Sequence, residues 1–223
     1  MSLRYRHVMS SYKKAAVADG WWNNDGAIAG VVAAYAAKGA ASYTASKINL
    51  ANPGTYNAGD GNAPAWDAIN GWKLAATSSH YLTTGITPTS SWSVLIRISN
   101  LTNGEDTWAF GNYAATGWGI EPGYDKEAAD KKGTTYINGN GEKIAADRTS
   151  GVWGLAGAQG YYNGVSECDA TVGTASPNAG IFIGDVSGAY RRYINAYIKN
   201  FAIYNLTLTG ADVLTISNAM AAE

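Results

Sequence analysis

Cysteine and histidine are almost absent from this 223-residue sequence, which contains one cysteine, Cys168, and two histidines, His7 and His80. A single cysteine cannot form an intramolecular disulfide, so the fold does not depend on an oxidised framework. Metal sites built from several thiolates or imidazoles are excluded for the same reason. Any bound metal is therefore expected to be an ion with oxygen ligands, such as calcium.

Charged residues are also scarce, at 15% of the chain, and 16 basic against 17 acidic side chains give a net charge of −1. Such a balance lacks the basic surplus that binding to phosphate backbones requires, so we expect no nucleic-acid partner. A content of 46% hydrophobic and 12% aromatic residues excludes intrinsic disorder. The sequence thus predicts a globular protein whose surface consists largely of uncharged polar residues.

No hydrophobic run in the sequence is long enough to cross a membrane. The longest, residues 27–37, is much shorter than the roughly 20 residues required, so we expect no membrane insertion. Residues 1–14 are basic and lack the apolar stretch of a secretory signal peptide, which predicts synthesis in the cytoplasm without Sec export. The length predicts one domain over residues 19–223, preceded by a basic N-terminal arm over residues 1–18.

Short apolar or alternating segments, separated by turn residues at close intervals, are typical of a sandwich of many strands. Residues 92–98 alternate large apolar with polar or small side chains, and residues 194–204 are apolar on both faces, which predicts a position inside a sheet. Residues 138–141 (Asn-Gly-Asn-Gly) and 163–164 (Asn-Gly) favour positive φ, so each is predicted to form a tight turn between antiparallel strands. Further strands are predicted at residues 31–35, 71–74, 80–83, 107–112, 134–137, 152–158 and 181–183.

One helix is predicted, at the C-terminal end of the chain. Apolar residues recur there at three- and four-residue spacing over residues 211–220, after an N-cap at Thr207 or Thr209. The fold class that these elements indicate is all-β, an antiparallel β-sandwich with a short C-terminal helix.

A recognisable series of short motifs runs through the last forty residues, in which a strand ending in Ile-Gly is followed by an aromatic loop, a long strand ending in Ile-Tyr-Asn, and Leu-Thr before a helix. The residues that carry it are, in order, Ile183-Gly184, Tyr193, Ile198, Ile203-Tyr204-Asn205 and Leu208-Thr209, with Ala196 in place of a usual glycine. In these motifs the chain resembles laminin-G-like and pentraxin-like domains of the concanavalin A-like lectin/glucanase superfamily. Upstream, residues 81–93 and 152–164 resemble an early strand pair and a hairpin of the same domains.

The resemblance covers residues 66–220 and implies a jelly-roll β-sandwich. The superfamily includes lectins, glycan-binding modules, glycoside hydrolases, adhesive ectodomains and phage virion proteins, so it implies a fold more than one activity. A chain with a basic start and a lead-in rich in tyrosine and alanine is similar to the phage-encoded members.

Aromatic residues are plentiful, with eight tryptophans and fifteen tyrosines. Their flat apolar rings with polar tips suit the C–H faces and hydroxyls of sugars, which indicates a carbohydrate site. Trp92, Trp153, Phe201 and Tyr204 fall within predicted strands and are assigned to the core. For Trp118 and Tyr190, a sugar site and a subunit interface are equally good interpretations. The predicted carbohydrate-binding residues are Trp108, Asn112, Tyr113, Trp118, Tyr124, Tyr190 and Arg191.

Acidic residues give two further candidates. Laminin-G-like domains often hold calcium at a loop rim, and by that resemblance Asp185 and Asp106 are the expected ligands. Glycoside hydrolases need two facing carboxylates, for which Glu121, Asp125 and Glu127 are the nearest match. Pro122-Gly123 interrupts this series, which favours a solvated charged loop over a catalytic strand.

The favoured hypothesis is a non-catalytic carbohydrate-binding or adhesion module associated with a phage virion, located on the virion or on an extracellular surface and binding a glycan or cell-surface polysaccharide. The alternative is a structural virion protein, for assembly or capsid decoration, in which the N-terminal arm contacts other copies of the chain or other virion proteins. A glycoside hydrolase is the least favoured of the three.

Overall fold

A computed structural model of the chain describes residues 20–102, 107–113, 117–125, 132–144, 148–169, 180–188 and 192–223. Among these residues the chain forms fifteen β-strands, two α-helices and a short 3₁₀ turn at Ala76–Ser78. The strands are β1 Val31–Ala36, β2 Gly59–Asn62, β3 Ala65–Asp67, β4 Gly71–Leu74, β5 Tyr81–Thr83, β6 Ser93–Ser99, β7 Phe110–Tyr113, β8 Gly117–Asp125, β9 Lys132–Ile144, β10 Gly151–Ala156, β11 Gln159–Tyr162, β12 Val165–Asp169, β13 Phe182–Ile183, β14 Ser187–Gly188 and β15 Ala196–Tyr204. The helices are α1 Tyr43–Ser46 and α2 Gly210–Ala222.

These strands form two sheets packed face to face, which confirms the predicted all-β sandwich with a C-terminal helix. The eight-stranded sheet has the order β12-β11-β10-β6-β15-β4-β3, with β1 also paired to β15. The seven-stranded sheet has the order β2-β5-β13-β7-β8-β9, with β14 paired to β7. Every pairing is antiparallel except that of β14 with β7, which is parallel. Many non-consecutive strands are neighbours, as expected of a sandwich that closes through crossover connections.

The main core lies between the two sheets and is built by alternation along each strand. In β6, Val94, Ile96 and Ile98 face the seven-stranded sheet and are at most 1% exposed. The intervening residues of β6 face outward on the eight-stranded sheet, because successive side chains of a strand point to opposite faces. Three of the four aromatic residues assigned to the core, Trp153, Phe201 and Tyr204, are fully buried, and the fourth, Trp92, is partly buried against the core.

Helix α2 covers part of the outer face of the eight-stranded sheet. It begins at a capping box in which Thr209 accepts a hydrogen bond from the Asp212 amide and the Asp212 carboxylate accepts one from the Thr209 amide. Its apolar side packs on a second cluster that includes Leu95, Tyr161 and Tyr204. The same cluster contains Ala202 and Tyr204 of β15 together with Trp22 and Ile28, which precede β1, so part of the outer face of β15 is apolar and covered, as its sequence predicted.

One of the two predicted turns is confirmed and the other is wrong. Asn163 and Gly164 connect β11 to β12 with φ of 48° and 78°. Residues 138–141 instead continue strand β9, where Asn138 pairs with Trp118 of β8. Asn138 is fully buried and its amide donates to carbonyls of two other loops, so tertiary hydrogen bonds outweigh the local turn preference.

The N-terminal arm over residues 1–18 lies outside the described residues, and the proposed domain limits stay a prediction. None of the helices described in the structure has the length and apolar character needed to cross a membrane.

Candidate functional site

The structure brings several of the predicted binding residues together around strand β7. The pairing of β14 with β7 places Ser187 beside Asn112, and the Trp108 amide donates to the Arg192 carbonyl at 3.0 Å. Tyr113 lies at the end of β7 and Tyr124 lies in β8. Predicted site residues that fall outside the described part of the chain are Asp106, Tyr190 and Arg191.

Trp118 is not an exposed platform, contrary to the sequence-based prediction. Its side chain is fully buried between the sheets, where its ring meets Phe110 edge-on at 5.6 Å between centroids. Trp118 pairs directly with the buried Asn138 and therefore shares its inward face. This orientation excludes contact between the ring and a sugar on the surface.

Trp108 is also buried, at 4% exposure, but on the outer side of the seven-stranded sheet. Its ring lies over Gly111 and Gly119, where a β-carbon on Gly111 would approach ring atom Cε3 to 2.5 Å. Trp108 clusters there with Ile137 and Val186. The prediction of an exposed ring at Trp108 is therefore wrong, and Asn112, 1% exposed, is no surface contact either.

A set of half-buried aromatic side chains does lie on the outer face of the seven-stranded sheet. We call Tyr81, Phe182 and Tyr193 the aromatic patch. The ring centroids of Tyr81 and Phe182 are 4.8 Å apart, and those of Tyr81 and Tyr193 are 6.3 Å apart. Each ring keeps part of its surface accessible.

Strand alternation explains how the patch forms. Leu82 and Ile183 pair with each other and point into the core with no exposure. Their chain neighbours Tyr81 and Phe182 must therefore point outward. Gly61 lies beneath Tyr81, where a β-carbon would approach the ring to 1.9 Å, so the ring lies flat against the neighbouring backbone. The ring held in this way remains partly exposed.

Of the two predicted calcium ligands, the structure describes Asp185 and not Asp106. Asp185 is fully buried, and its Oδ1 accepts a hydrogen bond from the Arg192 amide at 2.7 Å. The part of the chain that the structure describes contains no group of three or more His, Cys, Asp or Glu residues that could hold a metal. Calcium binding stays a prediction.

Glu121, the first of the three acidic residues considered for hydrolysis, does not lie in a solvated loop. Glu121 lies in β8, is 4% exposed and pairs with Thr135 of β9. The register shifts between Glu121 and Tyr124, so Pro122-Gly123 does interrupt the ladder as predicted. Glu127 falls outside the described residues.

A second acidic centre joins the two sheets at one side of the sandwich. Glu167 forms an ion pair with Arg148 and accepts a hydrogen bond from the Tyr136 hydroxyl at 3.2 Å. Tyr136 is fully buried, and burial followed by the charge of Glu167 raises the pKa of its hydroxyl above its usual range. Because Tyr136 belongs to β9 and Glu167 to β12, this cluster links the two sheets.

No known family profile matches the sequence, and no curated protein matches it. Solved structures do share its fold. Trypanosoma rangeli sialidase in complex with sialic acid is 15% identical with a TM-score of 0.56; the alignment covers 86% of this chain and 33% of the sialidase. The chain therefore spans about a third of the length of the sialidases that it matches.

Two smaller proteins are similar as well. The botulinum neurotoxin serotype D binding domain has a TM-score of 0.57 at 13% identity, over 85% of this chain and 50% of that one. Domain 4 of AbnA, a GH43 extracellular arabinanase from Geobacillus stearothermophilus, solved in complex with arabinotriose, has a TM-score of 0.52 at 16% identity, over 84% of this chain and 98% of that domain. At these identities the likeness shows the fold alone.

Tyr81 and Phe182 were not among the predicted binding residues, although both fall in predicted strands. The signal that could have found them is their alternation with the apolar Leu82 and with Ile181 and Ile183. A residue beside a core position on a strand with one buried face points outward.

Proposed function

We propose that this protein is a non-catalytic carbohydrate-binding module and that the aromatic patch is its sugar-binding surface. The observation that carries the proposal is the contact of three half-buried rings on an outer sheet face. Stacking of a sugar ring on such a surface removes apolar C–H groups from water while its hydroxyls stay solvated.

The structural neighbours support the carbohydrate part of the proposal. Domain 4 of AbnA was solved with arabinotriose, and the similarity covers nearly the whole of that domain. The sialidases are carbohydrate-active proteins by name, but the similarity covers only a third of their length. A role as a separate binding module therefore agrees better with the comparison than the activity of a whole sialidase.

We also propose that the module has no hydrolytic activity of its own. Glu121 is buried in a strand and lies next to a break in the ladder, and Tyr136 is enclosed between the sheets. A glycosidase of the usual type needs two carboxyl groups about 5 to 10 Å apart on either side of an accessible bond.

The biological role that we propose for such a module is adhesion to a polysaccharide surface. Its association with a phage virion, and the alternative of a structural virion protein acting through residues 1–18, rest on the sequence resemblance and stay predictions.

The proposal is tested with the full chain on an array of neutral and acidic glycans that includes arabinotriose, followed by titration calorimetry with the best oligosaccharide. Tyr81→Ala and Phe182→Ala should each weaken binding at least about tenfold, because each removes a ring that contacts the sugar. Tyr81→Phe and Phe182→Tyr keep the rings and should retain most of the affinity.

Leu214→Ala is the matched control. Leu214 is 44% exposed on α2, which packs on the other sheet, so its loss removes a similar apolar area without touching the patch. Circular dichroism checks that each variant is folded. If the folded wild-type chain binds no glycan with or without calcium, or if the alanine variants bind as tightly as Leu214→Ala, the proposal is wrong.

A further inference from the structure

A second candidate surface lies at one end of the eight-stranded sheet, where Asn195 is two positions along the chain from Tyr193 of the aromatic patch. Two shallow grooves of about 370 and 410 Å³ meet there at Asn100. We call them together the end groove. Volumes of this size fall within the range of sites that hold small molecules.

The strand register determines which side chains face the end groove. Tyr197 of β15 pairs with Lys73 of β4 on one side and with Ser99 of β6 on the other. Directly paired residues share a face, so these three side chains form a row across the sheet. Along β6 the same face carries Leu95 under the helix and then Arg97 at its end.

Positive charge is concentrated along this row. Lys73 and Tyr197 line one groove, and Arg97 and Lys199 line the other. Among the described residues that line the end groove there is no aspartate or glutamate. Neither lysine forms an ion pair with a described residue. The lining of the end groove therefore carries three cationic side chains and no carboxylate, while Asp67 and Glu223, which interact electrostatically with Lys73 and Arg97, lie outside the lining.

Arg97 is already engaged by the fold. Its guanidinium donates to the Met220 carbonyl at 2.5 Å and to the Ala221 carbonyl at 3.1 Å, at the C-terminal end of α2. Burial, followed by repulsion from Arg97 and Lys38, lowers the pKa of Lys199. An anion in the groove would relieve this repulsion.

The uncharged polar groups of the end groove also act mainly as donors. The amide oxygen of Asn195 accepts from the Ala76 backbone at 2.7 Å, and that of Asn163 accepts from the Val152 backbone at 2.8 Å. With their oxygens occupied, both side chains offer NH₂ groups. The Ser99 hydroxyl oxygen is buried and has no hydrogen-bond partner.

We propose that the end groove binds an acidic saccharide, with one carboxylate or sulfate group held by Lys73 in one groove and another held by Lys199 in the other. An anionic oxygen matches the surplus of donors, while the Tyr197 ring and the amide groups suit a sugar ring and its hydroxyls. A polyphosphate chain would gain little from these amides and this ring. The proposal goes beyond the stacking of a sugar ring proposed for the aromatic patch and does not depend on it.

Titration calorimetry with the full chain at low ionic strength tests the proposal. The probes are trigalacturonate, which carries carboxylates, a heparin hexasaccharide, which carries sulfates, neutral maltotriose and inorganic polyphosphate. The difference between the first two identifies the anionic group. Lys73→Gln and Lys199→Gln should each weaken binding about tenfold, the loss of one charge-assisted hydrogen bond.

Two controls accompany these variants. Lys47→Gln removes the same charge from a lysine that is paired to Asp60 at 2.7 Å and does not line the groove, and it should bind like the wild type. The variant Lys73→Arg/Lys199→Arg keeps both charges and should bind within a few-fold of the wild type, which separates charge from misfolding.

The proposal is overturned if neither acidic saccharide binds, or if Lys73→Gln and Lys199→Gln each bind them as tightly as Lys47→Gln. It is also overturned if polyphosphate binds as tightly as the acidic saccharides, because the contacts would then be purely electrostatic. If a variant no longer binds the acidic saccharides but still binds a neutral glycan at the aromatic patch, the result supports a separate acidic-saccharide site in the end groove.

Discussion

Three buried tyrosine hydroxyls make the stability of this protein sensitive to alkaline pH. Tyr35, Tyr136 and Tyr204 are fully buried, and burial raises the pKa of each hydroxyl above its usual range. In the unfolded chain the same groups lose their protons near pH 10. Above that pH the unfolded state binds fewer protons than the native state, so the free energy of unfolding falls as pH rises.

The size of this fall follows from proton linkage. Each hydroxyl that stays protonated only in the native state lowers the free energy of unfolding by about 1.4 kcal/mol per pH unit. Three such groups together lower the free energy of unfolding by about 4 kcal/mol per pH unit above about pH 10. Native domains have a free energy of unfolding of about 5 to 15 kcal/mol, so at this slope it reaches zero about 1 to 4 pH units above pH 10, and we expect cooperative unfolding between about pH 11 and pH 14.

Urea denaturation at steps from pH 8 to pH 11.5, followed by circular dichroism, measures the slope directly. Tyr204→Phe is the informative variant. It loses the hydrogen bond from the Tyr204 hydroxyl to the Trp22 carbonyl, which costs about 1 kcal/mol at neutral pH, and it should reduce the alkaline slope by about a third. An unchanged slope in this variant would show that Tyr204 titrates normally in the folded protein, and the reasoning from burial would fail.

Two further changes test the fold around the proposed sites, each measured by urea denaturation. Thr209→Ala removes the capping box with Asp212 and should lower the free energy of unfolding by about 1 kcal/mol, whereas Thr209→Ser should restore it; equal losses in both would contradict the cap. Gly111→Ala places a methyl group 2.5 Å from the Trp108 ring and should cost about 1 to 3 kcal/mol through overpacking; a neutral result would mean that this ring does not lie on the glycine backbone.

The strands could be predicted because most of them carry strong periodic signals. Strand β6 alternates cleanly, and β15 is apolar on both faces because its outer residues Ala202 and Tyr204 pack in a second cluster with α2 and with the segment that precedes β1. The cap at Thr209 followed from local chemistry, since a threonine precedes an apolar helical pattern and an acid stands three residues on. The turn predicted at residues 138–141 was wrong because the hydrogen bonds that fix Asn138 come from loops distant in sequence.

The binding residues were harder to predict than the strands, because the exposure of a side chain depends on which face of its sheet it occupies. Trp118 stands beside a glycine in the sequence, as a loop residue would, but its partner Asn138 faces the core. Trp108 faces outward yet is covered by its neighbours. Tyr81 was assigned only to a strand, although its position next to Leu82 places it on the surface. A shift of one residue along a strand exchanges core and surface, so residue type alone does not identify a site.

The aromatic patch lies on the outer face of the seven-stranded sheet and the end groove is lined by residues of the eight-stranded sheet, but Tyr193 of the patch and Asn195 of the groove are two residues apart in the chain. The two surfaces therefore approach each other at this end of the sandwich, whereas Phe182 of the patch and Lys199 of the groove belong to different sheets. Sites that share no residue usually contribute additively in free energy. The affinity losses of Phe182→Ala and Lys199→Gln should therefore be independent for separate ligands, and a long polysaccharide could join two protein molecules by binding the patch of one and the groove of another.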